Sequence, residues 1–155
     1  MREILFRGKR IDNGEWVEGA LIVADDIFAY ICPDMTDVSY GDNGNRMRIG
    51  CWYQVDPATV GQYTGLTDKN GQRIFEGGIV KTQPFSDRPY SKRAKFKQHI
   101  GVVEHKILPK YVSEWSVKID DYDGFGCCSW SAFYDCEVIG NIHDNPELLE
   151  GGQST

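Results

Sequence analysis

The sequence predicts a mostly β protein made of two small units joined by a connecting segment. Three observations carry this. The apolar runs are short and bounded by Asn-Gly, Asp-Asp and Gly-Gly pairs, the punctuation of hairpins. Aromatic residues are plentiful, with 4 Trp, 8 Tyr and 7 Phe, and such rings suit a pleated surface. Glycine reaches 17 residues, in keeping with a turn-rich chain. The expected units are an N-terminal antiparallel β unit over 1–57, a connecting segment over 58–71, and a C-terminal barrel-like unit over 72–151. The last is expected to resemble an SH3 barrel and to end in a short helix.

The elements follow in chain order. Ile4, Leu5 and Phe6 between Arg2 and Arg7 form a first strand, and Asn13-Gly14 turns it. Trp16 to Val23 is the next strand, with Gly19 read as a bulge. Asp25-Asp26 reverses the chain into Ile27–Cys32. This meander signals antiparallel pairing. Pro33 to Asn45 lacks periodicity and reads as a loop; its aspartates lack the ligand order of an EF-hand. Met47 to Val55 resumes as strand, and Asp56-Pro57 marks a boundary. Beyond residue 72, strands are expected at Arg73–Glu76, from Ile79, at Ile100–His105, at Tyr111–Ile119, at Phe125–Tyr134 and at Cys136–Ile142. In Tyr111–Ile119 the alternation sets Tyr111, Trp115, Val117 and Ile119 on one face and Glu114, Ser116 and Lys118 on the other. Asp120 to Gly124 reads as a hairpin turn. Asn145 caps a closing helix, with Pro146 at its first position and Gly151 as its stop.

Composition narrows the function classes. Hydrophobic residues make up 41% and charged residues 26%, the balance of a globular rather than a disordered chain. The net charge of −6 argues against binding nucleic acid over the whole surface but leaves room for a local basic patch. Five cysteines without regular spacing argue against a disulfide framework, so free and mostly buried thiols in a reducing cytoplasm are expected. Cys127-Cys128 with Cys136 and His143 is a Cys/His concentration, but adjacent strand residues face opposite ways and do not share a tetrahedral zinc site. No histidine is paired by spacing with a nucleophile. No apolar segment follows the charged first residues and none is long enough to span a bilayer. The expectation is therefore no catalytic residues, no metal, no cofactor and no membrane.

One segment departs from the acidic balance. Gln83 to His99 holds Arg88, Lys92, Arg93, Lys95 and Lys97 against the single acid Asp87, interleaved with Phe85, Tyr90 and Phe96. Such an arm suits phosphate contacts with aromatic stacking on bases. It equally suits a solvated loop, or docking on an acidic neighbouring subunit.

Val60 to Val80, VGQYTGLTDKNGQRIFEGGIV, is the densest run of turn signals. Asn70-Gly71 tolerates positive φ at both positions, and Gly77-Gly78 breaks the chain again. Tyr63 reads as a packing residue and Glu76 as a cap for turn donors. This run, with Tyr63, Gly65, Asp68, Gly71, Glu76 and Gly77 in place, resembles the signature of the YopX family of phage and prophage proteins. The opening Met1–Arg7 and the closing Glu137–Leu149 resemble that family too. Gly78 departs from it, since the family usually has an aspartate there. The resemblance implies a phage accessory protein and no particular chemistry. Exposed sheet edges need partners, so a homo-oligomer is expected. Action by protein contacts or self-assembly is the first expectation, and nucleic-acid binding through 88–97 is the alternative.

Overall fold

A computed structural model describes residues 3–24, 27–33, 38–40, 47–84, 86, 92–93, 95–108, 112–119 and 132–150. Among them run strands β1 (Phe6–Lys9), β2 (Trp16–Ala24), β3 (Phe28–Cys32), β4 (Val38–Tyr40), β5 (Met47–Ile49), β6 (Tyr53–Val55) and β7 (Gly61–Thr67). Then come β8 (Arg73–Phe75), β9 (Gly78–Lys81), β10 (Ile100–Leu108), β11 (Val112–Lys118), β12 (Glu137–Asn141) and the short helix α1 (Glu147–Glu150). The protein is mostly β, and its pairings are antiparallel. The chain divides into two units, Met1–Tyr63 and Thr64–Thr155.

In the first unit β6, β3, β2 and β1 are neighbours in that order. β2 changes partner along its length. Trp16 to Gly19 pair with β1, and Ala20 to Ala24 pair with β3. The end of β1 then meets β6: Arg10 bridges Val55, Ile11 N–H donates to Gln54 O at 3.1 Å, and Asp56 N–H donates to Lys9 O at 2.9 Å. The end of β1 thus closes the four strands on themselves, while its start pairs with β7 in the same sheet, Phe6 opposite Gln62 and Arg7 opposite Gly61. The interior holds Ala29, Ile31 and Val55, flanked by Phe6, Val17, Leu21 and Val60. Gly8 faces this interior, where an added Cβ would lie 2.9 Å from Val55 Cγ2. A barrel was expected of the second unit; the closure just described belongs to the first. Arg10 is fixed over the Tyr53 ring at 3.9 Å and bonded to Asp12 through Nε at 2.9 Å and Nη2 at 2.6 Å, which pins the β1–β2 turn beside β6. The Asp12 hydrogen bond is the chief reason the guanidinium pKa is raised.

In the second unit the order is β11-β10-β9-β12. Ile74, Val80, Val103, Val117, Ala132, Phe133 and Cys136 form its buried core. Full burial of an aliphatic side chain stabilises by about 1.5–3 kcal/mol, so Ile74, Val80, Val103 and Val117 carry much of this unit. Among the described residues this sheet is open, with β11 and β12 at its edges.

Several expectations change. Val38–Tyr40, expected within a loop, pairs with Met47–Ile49 as a two-stranded sheet; the rest of 34–46 lies outside the described residues. The expected strand Met47–Val55 is interrupted at 50–52. Gly61–Thr67, expected as a connection, is a strand. Ala132 and Phe133 occupy a helical turn rather than a strand, because their side chains are drawn into the core. Residues 120–131, including the Asp120–Gly124 turn and Cys127-Cys128, lie outside the described residues. Asn145 does not spend its side chain capping the helix; its Oδ1 accepts from Asn141 N–H at 3.4 Å. Among the described residues no helix is long and apolar enough to cross a membrane.

Candidate functional site

Asp68 is the centre of the signature run. It is 6% exposed, and its carboxylate accepts backbone N–H bonds from Asn70 at 2.8 Å, Gln72 at 2.9 Å and Val138 at 3.0 Å. Its own N–H donates to Gln72 O at 2.8 Å, closing the turn, and Gly71 N–H donates to Asp68 O at 3.0 Å. Lys69 N–H donates to Cys136 O at 3.0 Å, and Lys69 Nζ pairs with Glu137. One side chain therefore ties the β7–β8 turn to β12. Burial works to raise the Asp68 carboxyl, but the N–H groups of Val138, Gln72 and Asn70 outweigh it and leave the pKa below the ordinary aspartate value. A carboxylate held by three main-chain donors acts as a structural anchor.

Of the other signature residues, Gly71 lies in the same turn, and Tyr63, Gly65, Glu76 and Gly77 lie outside it. Gly65, Gly71 and Gly77 have φ of 87°, 81° and 73°. Gly77 N–H donates to Val103 O at 2.9 Å, and Ile142 N–H donates to Gly77 O at 3.0 Å, so Gly77 holds β10 and the end of β12 together. Gly78 opens β9 opposite Asn141. Glu76 is half-buried. Tyr63 is buried in the first unit, and its N–H donates to Leu5 O at 2.8 Å. Burial, with Asp68 nearby, pushes the Cys136 thiol up to about 11, so it is a protonated core residue at neutral pH rather than a nucleophile. Cys32, Cys51 and Cys136 are not in disulfides. Among the described residues no three His, Cys, Asp or Glu side chains gather in a group that could hold a metal ion.

The basic arm is exposed where it is described. Lys92, Arg93, Lys95 and Lys97 all lie at the surface, and Phe96 between the last two is 61% exposed. Arg88, Phe85 and Tyr90 lie outside the described residues. A row of cations around an exposed ring can attract a polyanion and offer it one stacking platform.

The second candidate surface is one that the strand boundaries expected from sequence conceal. β10 continues beyond the expected His105 to Leu108, while its pairing with β9 covers only Ile100–Val102. Among the described residues, Glu104 to Leu108 pair with β11 and no other strand, giving a two-stranded ribbon. Along its core-side face Val103 is buried, His105 packs against Trp115 with ring centroids 4.9 Å apart, and Ile107 is 80% exposed. The signal lies in the alternation Val103, His105, Ile107, which runs on past the point where the strand is expected to stop. On the first unit Trp52 is 53% exposed, its ring edge-on to Tyr30 at 4.8 Å.

Comparison with known proteins sets these surfaces in context. The family model described as YopX protein matches residues 5–150. Among solved structures, the chain is similar to protein EF1440 from Enterococcus faecalis, with 27% identity over 96% of this chain and 99% of that one, at a TM-score of 0.50. No curated protein matches. The signature run, the closing strand and the family match agree along the chain, which therefore belongs to the YopX family.

Proposed function

We propose that this chain is a phage or prophage accessory protein that works through protein contacts, self-assembly first among them, and not through catalysis. The observation that carries this reading is the β10–β11 ribbon, which runs past β9 and holds Ile107 80% exposed on the face that continues the core. Apolar side chains displayed on an extended ribbon invite a covering surface. Family membership supports the phage setting, and the acidic net charge of −6 suits a protein partner better than a polyanion. Light scattering after size exclusion should return more than a single-chain mass. Ile107→Glu should lower that mass toward one chain while leaving the far-ultraviolet spectrum unchanged. A single-chain mass at every concentration, with no partner whose capture depends on Ile107, would overturn the proposal.

A second reading is favoured by the exposed cations at Lys92, Arg93, Lys95 and Lys97 around Phe96. If the arm binds nucleic acid, the wild type gives a gel shift that weakens as salt rises. Replacing the four cations by alanine then removes it. For single strands the slope of log K against log[salt] becomes shallower by about 0.7 for each phosphate that is no longer neutralised. Absence of a shift at low salt rules this reading out.

A further inference from the structure

We infer that the basic arm of one copy docks on the ribbon end of a second copy, with Phe96 covering the partner's Ile107 and the arm's lysines facing the partner's Glu147 and Glu150. This rests on the self-assembly reading above and names what covers Ile107.

The ladder fixes where the two surfaces stand within the second unit. Lys81 of β9 pairs with Ile100 on one side and with Glu137 on the other. Just beyond, Thr82 N–H donates to His99 O at 2.8 Å and His99 N–H donates to Thr82 Oγ1 at 3.1 Å, which clasps the base of the arm. The arm therefore leaves from this end of the sheet. At the other end Gly78 lies opposite Asn141, Gly77 bonds both Val103 and Ile142, and β10 runs on to Leu108. The turn after β12 and the helix α1 stand at that end, with α1 against β10.

The two ends are opposite in charge. Residues 92–97 hold Lys92, Arg93, Lys95 and Lys97 and no acid, whereas residues 142–150 hold Asp144, Glu147 and Glu150 and no Lys or Arg. All of these charged side chains are exposed. Among the described residues Lys92, Lys95, Lys97, Glu147 and Glu150 make no salt bridge. Each end also displays a large apolar side chain, Phe96 among the cations and Ile107 on the strand that α1 lies against. Opposite charges around matching apolar groups steer and register a contact. One chain cannot make it with itself. Phe96 is three residues from His99, at most about 10 Å of chain, while Ile107 lies eight residues further up the strand, about 26 Å away. Both side chains are left exposed in the single chain, and a second copy supplies the missing half to each.

Two variants that fail alone and recover together read this contact. Lys92→Ala, Lys95→Ala, Phe96→Ala and Lys97→Ala in one chain remove the arm's contact groups. Ile107→Ser, Glu147→Gln and Glu150→Gln in another remove the seat. Each set should weaken self-association, measured by sedimentation velocity, on the order of tenfold or more. Far-ultraviolet spectra and melting should stay as in the wild type, because every substituted side chain is exposed. Mixed in equal amounts, the two variants should form a complex of two chains, since one intact arm and one intact seat remain. A single-chain mass for the wild type overturns this contact and the self-assembly reading together. An arm variant that assembles as the wild type does, or two weakened variants that stay apart when mixed, overturns this contact alone. Loss of a gel shift in the arm variant with its assembly unchanged assigns the arm to nucleic acid instead and likewise overturns it.

Discussion

Replacing Gly19 by alanine is expected to abolish cooperative folding of the first unit. At Gly19 β2 passes from β1 to β3, and the end of β3 crosses directly over it. A Cβ there would sit 2.5 Å from the Cys32 carbonyl carbon, closer still to its oxygen, and 2.7 Å from Pro33 Cα. These are main-chain atoms, so no rotamer change relieves the clash; β2 and β3 would have to separate at the Ala20–Cys32 pairing. A cost of about 4 kcal/mol or more follows, at the severe end for a single substitution. For a domain of this size each kcal/mol lowers Tm by roughly 4–8 °C, so the transition should fall by more than about 15 °C or vanish. Gly71→Ala is the control. Among the described residues nothing lies within 4 Å of its added Cβ, and only its φ of 81° resists a side chain. That conformational cost is about 1–2 kcal/mol. Thermal melts followed by circular dichroism separate the two. Equal losses would mean that the crossing at Gly19 leaves room for a side chain.

Asp68→Ala is expected to cost the second unit about 3 kcal/mol, because three part-buried backbone hydrogen bonds to a charged acceptor would be lost, at about 1 kcal/mol each after water replaces part of them. Asp68→Asn should cost less, near ~2 kcal/mol, since one oxygen still accepts while the amide group faces a donor it cannot bond. The pH dependence has a definite sign. The Asp68 pKa is depressed in the folded state. Its contribution is therefore complete above the unfolded value of about 3.9 and lost as pH falls through the lower folded value. The wild type should lose stability down that acid limb, and Asp68→Asn should show a shallower one. Denaturant titrations at neutral pH and across the acid range measure both quantities. Lys69→Ala offers the contrast. It breaks a half-exposed pair with Glu137 and should cost no more than about 1 kcal/mol. A loss at Lys69 matching that at Asp68 would show that the ion pair, and not the carboxylate's main-chain bonds, ties the turn to β12.

The sequence by itself determined what depends on neighbours along the chain. The mostly β class followed from short apolar runs between turn residues. Asn70-Gly71 marked a turn, and Gly71 does take positive φ, because only local backbone sterics decide that position. The exposed cations from Lys92 to Lys97 were legible as a composition. The family signature was legible as a pattern, without the reason for its Asp68. That reason is only half local: two of its three donors lie within four residues, whereas Val138 is 70 residues away. Long-range pairing decided the rest. Gly19 reads as a bulge because a glycine in a strand suggests one; the crossing of Cys32 and Pro33 above it exists only once β3 is in place. Closure of the first unit rests on Arg10 meeting Val55, and no periodicity in either segment announces the other. The ribbon length of β10 is set by β11, whose pairing keeps Lys106 to Leu108 extended after β9 has ended. The physical reason is common to all three. Turn and strand propensities are properties of a few consecutive residues, but a strand's partner and its last residue are settled by backbone hydrogen bonds to segments that the chain brings up from far away.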